Sequence, residues 1–195
     1  TAFVADGSSG LQIIDVTNKA SPSLTSTHNT SGVAKDVALS ADGNTAFVAN
    51  SAGVRIIDVS DQSNPSFISN FAINNSYGNG TENIALSSDG DTVFAGDGYT
   101  LEIIDVNNTA NPFTQSTYEG DWWSVIQEIN LSADGNTAFV ASGGGGLQII
   151  DIGYPEYFSS LSDTIQIEID GTAPTFFSAA TNTAGTKVIL TYNEA

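Results

Sequence analysis

The chain has 195 residues, 40% of them hydrophobic, and sets 22 acidic side chains against four basic ones for a formal net charge of −18. That length and apolar content suffice for a buried core, while the charge repels nucleic acid and anionic lipid and argues against both as partners. Without cysteine or methionine and with a single histidine, the described sequence has no means to form disulfides, thiol nucleophiles or cysteine- or histidine-rich metal centres.

The first residues, "TAFV", are apolar and lack an initiator methionine, so a processing boundary inside something longer is expected. No run of about 18 to 20 apolar residues is visible, and membrane insertion is not expected. "LQIIDV" follows from Leu11, and the same phrase returns as "VRIIDV" from Val54, "LEIIDV" from Leu101 and "LQIIDI" from Leu147. The matching isoleucines Ile13, Ile56, Ile103 and Ile149 are 43, 47 and 46 residues apart. A period near 45 fits one propeller blade or one long helical repeat. The β-branched, aromatic and glycine content, with turn signals every 8 to 12 residues, excludes helix.

The second copy shows the unit most fully. "DVALS" at 36–40 is strand A, Asp42 and Gly43 make a tight turn, "TAFVAN" at 45–50 is strand B and "VRIIDV" at 54–59 is strand C. "SFISNF" then forms strand D after a turn at Pro65. Pro22, Pro112 and Pro155 fall in the same C to D turn of the other copies, where a fixed φ helps and a missing N–H costs little. "LSADGNTAFV" at 39–48 recurs unchanged at 131–140 and nearly so at 86–95, as a stacked unit requires. In strand C, Leu11 and Ile13 point to one face and Ile14 and Val16 to the other, so both faces are aliphatic, as in a sheet held between two neighbours.

"GLQIIDVTNKASP" at 10–22 resembles the LVIVD repeat of bacterial and archaeal β-propellers. That resemblance covers roughly residues 1–162 and implies an all-β fold, a β-propeller of about four four-stranded antiparallel blades. Only about four copies are present and the first lacks strand A, so either an incomplete ring or a small closed one is implied. Residues 163–195 change register. "DTIQIEIDGTAPTFFSAATNTAGTKVILTYNEA" is similar to the junction between immunoglobulin-like or cadherin-like modules of bacterial surface proteins. A second expectation is that 164–169 pairs beside the first strand as a ring-closing clasp.

Candidate sites are sparse. Asp15, Asp58, Asp105 and Asp151 close strand C in every copy, and Asp42, Asp89 and Asp134 occupy the A to B turns. Repetition marks them as backbone caps rather than catalytic acids or ligands. "GGGG" at 143–146 lacks the lysine and helix of a phosphate loop, and His28, in a polar "THNTS" loop, has no serine or aspartate arrangement to make it a base, so a surface role is expected. No catalytic residue, metal ligand or cofactor is assigned. Calcium alone stays open, on the oxygen-rich "ADGSSG" at 5–10 and "GDGYT" at 96–100.

The D to A loops differ between copies, and they carry Tyr77, Tyr118, Asp121, Trp122 and Trp123. Aromatics beside carboxylates suit stacking on sugars or anchoring a protein, against the reading that a tryptophan plugs the gap between blades. The expected function is a non-enzymatic interaction or structural module of an extracellular or cell-surface protein, binding a protein or glycan through this loop rim. Two alternatives remain: a propeller enzyme acting on a polysaccharide or lactone, and a sheath or filament subunit that self-associates through the chain ends.

Overall fold

The computed structural model describes residues 1–73, 80–120 and 125–152, together with the strands Thr175–Thr181 and Val188–Asn193. Every regular element among them is a strand. The first sheet holds β1 (Ala2–Ala5), β2 (Leu11–Asp15) and β3 (Ser23–His28) in that order. The second holds β4 (Ala34–Leu39), β5 (Thr45–Asn50), β6 (Gly53–Asp58) and β7 (Ser66–Ala72). The third holds β8 (Asn83–Leu86), β9 (Thr92–Asp97), β10 (Thr100–Asp105) and β11 (Phe113–Glu119). In the fourth, β12 (Ile126–Leu131), β13 (Thr137–Ser142) and β14 (Gly146–Asp151) follow in order. All neighbours are antiparallel and consecutive, which is the expected A-B-C-D meander. Among the described residues the first sheet has no strand A. β15 (Thr175–Thr181) and β16 (Val188–Asn193) pair as a separate antiparallel hairpin. The fourth strand D, the boundary at 162 and the expected clasp at 164–169 lie outside the described residues.

The alternation of a strand decides how the sheets stack. Phe47, Ala49, Val54 and Ile56 point from the second sheet into one core with Ile84, Val93, Ala95, Ile104 and Val106 of the third. Ala46, Val48, Ile57 and Val59 point the opposite way, into a core with Leu11 and Ile13 of the first sheet. The third sheet repeats the division, sending Phe94, Leu101 and Ile103 toward Ile126, Ile129, Ala138, Val140 and Ile150 of the fourth. Successive residues thus serve successive cores, because side chains in a strand alternate faces with period two. At one point of the junction between the third and fourth sheets the packing is tight. A Cβ on Gly96 would stand 2.7 Å from Ile126 Cγ2, so the smallest residue sits where the Ile126 side chain leaves no room for another.

The C to D pairing slips at one equivalent place in three sheets, between Ile13 and Ile14, Ile56 and Ile57, and Ile103 and Ile104. A bulge there adds local twist to the outer strand. The D strands are largely exposed, so the apolar weight rests on strands B and C.

Ile56→Ala and Ile57→Ala should each cost about 2–5 kcal/mol in urea unfolding, since both side chains are fully buried although they are sequence neighbours. Phe113, 54% exposed, should tolerate Ala within about 1 kcal/mol. If either isoleucine proved silent, the sheet would have one buried face and not two.

Candidate functional site

The sheets have two ends and two margins, and their polar residues sort accordingly. At one end lie the A to B turns, built from one repeated set of contacts. The Ser40 hydroxyl donates to Asp42 Oδ1 at 2.6 Å, Asp42 Oδ1 accepts the Asn44 N–H at 3.0 Å, and Thr45 N–H donates to Ser40 Oγ at 2.9 Å. Gly43 closes the turn on the Ser40 carbonyl at φ 71°, a left-handed conformation that glycine adopts without strain. Ser87, Asp89, Asp91 and Thr92 repeat this arrangement, as do Ser132, Asp134, Asn136 and Thr137. The serine hydroxyl, then the backbone N–H, holds the carboxyls of Asp42, Asp89 and Asp134 below the ordinary carboxylate range.

Three of the strand C aspartates, Asp15, Asp58 and Asp105, cap the next turn. Asp15 accepts from the N–H and hydroxyl of Thr17 at 2.8 and 2.7 Å, and Asp58 likewise from Ser60 at 2.9 and 2.6 Å. Asp105 accepts the Asn107 N–H at 3.0 Å. These oxygens are occupied by the turn itself, and Asp15 and Asp58 are held low by the same bonds.

Along the inner margin, polar groups join one sheet to the next. The Asp36 carboxylate accepts the Ile84 N–H at 3.0 Å, the Asn83 amide donates to the Ile126 carbonyl at 3.1 Å, and Lys35 pairs with Glu82. Asp36, Asn83 and Glu128 hold one equivalent position in three sheets, opposite Ala49, Gly96 and Ala141. An open cavity of about 440 Å³ between β8 and β12 is lined by Asp36, Leu86, Glu128 and Asn130, among others. Its two carboxylates come from that repeated position, and Asp36 is already engaged by the Val37 and Ile84 N–H groups. Among the described residues no group of three or more acids and histidines is placed to hold a metal ion. The "ADGSSG" segment is a tight β1 to β2 turn closed by its own backbone, and "GDGYT" turns β9 into β10.

Sequence reasoning misses the outer margin. The Ser26 hydroxyl donates to the Gln62 carbonyl at 2.6 Å and the Ser69 hydroxyl to the Thr109 carbonyl at 2.5 Å, each reaching from strand D to the C to D loop of the following sheet. His28 belongs here too. It ends β3 instead of lying in a free loop, half-buried, with Nδ1 3.2 Å from the Pro65 carbonyl. Burial holds its pKa below the ordinary imidazole value.

The remaining end carries the B to C turns and D to A loops. Asn50, buried at the end of β5, donates to the Thr30 carbonyl at 3.1 Å and accepts the Ala52 N–H at 2.7 Å, tying a D to A loop to a B to C turn. The third loop is anchored at both ends on one turn: Gly120 N–H donates to the Tyr99 carbonyl at 2.8 Å and Ile126 N–H to the Gly98 carbonyl at 2.7 Å. Of the predicted site residues, Tyr118 lies on β11, half-buried and packed against the core shared by the third and fourth sheets. Tyr77, Asp121, Trp122 and Trp123 lie outside the described residues.

The sequence pattern described as the LVIVD repeat matches residues 2–30, 31–72 and 129–166. No curated protein matches the sequence. Among solved structures, the chain is similar to a periplasmic gluconolactonase of Pseudomonas aeruginosa, with a TM-score of 0.65 and 17% identity over 96% of this chain and 59% of that one. A protein from Lactobacillus plantarum gives a TM-score of 0.70 and 16% identity over 97% and 66%. The β-propeller domain of Cps50 (Swd1) from Myceliophteria thermophila gives 0.60 and 12% over 77% and 51%. At such identities the likeness is one of fold, and that fold is the β-propeller. The chain spans 59% of the gluconolactonase's length.

The low carboxyls of the A to B turns have a consequence in acid. A carboxyl whose folded pKa is depressed contributes stability that is present above its unfolded value, about 3.9, and lost as pH falls through the folded one. Replacing Asp42, Asp89 and Asp134 together with Asn keeps the acceptor oxygen and removes the titration. The urea midpoint of the unmodified chain should therefore fall more steeply below about pH 4 than that of the triple variant. Parallel curves would show that these turns carry no linked protons.

Proposed function

The chain belongs to the LVIVD-repeat family, and from that premise we propose that it is a non-enzymatic binding module whose working surface is the rim of D to A loops. The observation that carries the reading is the double anchoring of the third loop on Gly98 and Tyr99. A loop whose ends are fixed to a rigid turn loses less conformational entropy when its side chains engage a ligand. Its sequence, with Asp121, Trp122 and Trp123 after Tyr118 and Glu119, offers flat apolar rings beside carboxylates. That pairing suits a glycan face, with its C–H patches and hydroxyls, or a protein anchor. Such a module fits an extracellular or cell-surface protein, with 163–195 opening an immunoglobulin-like module after the repeats.

The competing enzymatic reading takes its support from the fold shared with a gluconolactonase. Fold alone does not carry activity. The carboxylates lining the inner cavity occupy a position repeated from sheet to sheet, and that at Asp36 is engaged in backbone bonds, which favours the binding module.

Two measurements test this. On a glycan array and in partner titrations, Trp122→Ala with Trp123→Ala should weaken binding at least about tenfold, equivalent to 1.4 kcal/mol, with an unchanged thermal midpoint. A collapse in thermal stability would make the tryptophans core residues. The unmodified chain should leave gluconolactone at its buffer rate of hydrolysis; turnover above it would replace the binding module with an enzyme.

A further inference from the structure

Strand D of the first sheet departs from its counterparts at one register position. His28 stands opposite Leu11, where the second sheet has Phe71 opposite Val54 and the third has Tyr118 opposite Leu101. Phe71 and Tyr118 pack against the cores those sheets share with the next. The first sheet puts the only histidine of the chain in that slot. Its Nδ1 lies 3.2 Å from the Pro65 carbonyl of the second sheet, and since a carbonyl only accepts, Nδ1 carries the proton of the neutral ring. Nε2 then holds the lone pair, buried and with no hydrogen-bond partner among the described residues. A proton added there would be a buried donor without an acceptor, and it would set a second positive charge in the field of Arg55 on β6. Arg55 lies over the Phe67 ring at 4.2 Å and forms no ion pair among the described residues. No carboxylate nearby is placed to offset these costs. Asp58 and Asp61 are bonded to Ser60 and Ser63 within their own turns, Asp15 is held by Thr17 at the far end of β2, Asp6 is exposed in the β1 to β2 turn, and β7 has no ionisable side chain.

We propose that His28 is an acid-sensitive latch between the first and second sheets: the neutral imidazole bridges strand D to the C to D loop of its neighbour, and protonation releases that loop. Burial is the main force that lowers the imidazole pKa; the Pro65 bond works against it and the Arg55 charge with it, and the net shift is downward. Below about pH 6.5, the ordinary imidazole value, the folded chain therefore binds fewer protons than the unfolded one. Stability is full above that value and is lost as the pH falls toward the folded pKa. This window lies above the one in which the carboxyls of the A to B turns titrate. The latch belongs to a junction and not to the loop rim, so it does not depend on the binding reading.

Because the chain has one histidine, a nuclear magnetic resonance titration of the full chain reads a single imidazole. Its neutral form should carry the proton on Nδ1, and it should titrate below about pH 6.5. His28→Phe installs the ring that the second sheet has at this register and removes the titration. Between about pH 7 and about pH 5 the folding constant of the wild type should fall relative to that of the variant, by up to about tenfold per pH unit. Over the same interval, deuterium uptake corrected for the intrinsic exchange rate should rise in residues 23–28 and 59–65 of the wild type and not of the variant. An imidazole that titrates at or above its ordinary value, or that carries its neutral proton on Nε2, would overturn the latch on the wild type alone, even if His28→Phe misfolds. Parallel stability curves, or a loss of stability without added exchange in those two segments, would overturn it equally.

Discussion

The structure depends on one constraint: each four-stranded sheet is apolar on both faces and so is unstable alone. Ile56 and Ile57 state it in two adjacent residues, one buried against the third sheet and the other against the first. A two-sided sheet gains its full hydrophobic stabilisation only when neighbours cover both sides, roughly 25 cal/mol for each Å² of apolar surface removed from water. Stability is then shared between each unit and its interfaces, in the manner of repeat proteins.

Around that apolar middle, hydrogen bonds fix the relative placement of the sheets. Inner-strand backbone and side chains link Asp36 to Ile84 and Asn83 to Ile126. At the outer margin, serine hydroxyls cross to the next C to D loop. Apolar contacts alone would let flat sheets slide, whereas directional bonds at both margins fix their stagger. The acidic excess is compatible with this because many of the repeated aspartates are spent on local N–H and hydroxyl donors. Their negative charge is solvated and bonded within single turns and not set against neighbouring sheets.

What the sequence makes legible follows from the range of the interactions. Strand C, the A to B turn and the C to D prolines are readable because alternation, Asp-Gly and Pro act within a few residues. That the first copy begins at strand B is readable for the same reason. Ser26 and Ser69 are not, since each meets a backbone carbonyl 36 or 40 residues away, and a carbonyl has no sequence signature. His28 is misplaced in a loop because its neighbours are polar, while its partner is the carbonyl of Pro65 in the next repeat. At the rim, aromatic content is what nominates the third loop for the proposed binding role, but it carries no information on the direction of each ring. Tyr118 illustrates this: it precedes the third loop, yet it packs against a core.

The repeated decapeptide also bears on how the chain folds. Identical segments at 39–48 and 131–140 can each supply the A to B turn and most of strand B to the other's strand C, and mispairing of this kind is a characteristic failure of repeat chains. Between them lies the copy at 86–95, in which Ala41, Asn44, Ala46, Val48 of the first become Ser88, Asp91, Val93 and Ala95. Adjacent copies, which meet earliest and most often because the intervening loop is shortest, are thus the ones that differ. Divergence between neighbours raises the cost of exchanging strands where encounters are frequent, and the exact duplication is confined to units separated by a whole blade, where the longer loop makes the wrong encounter rarer.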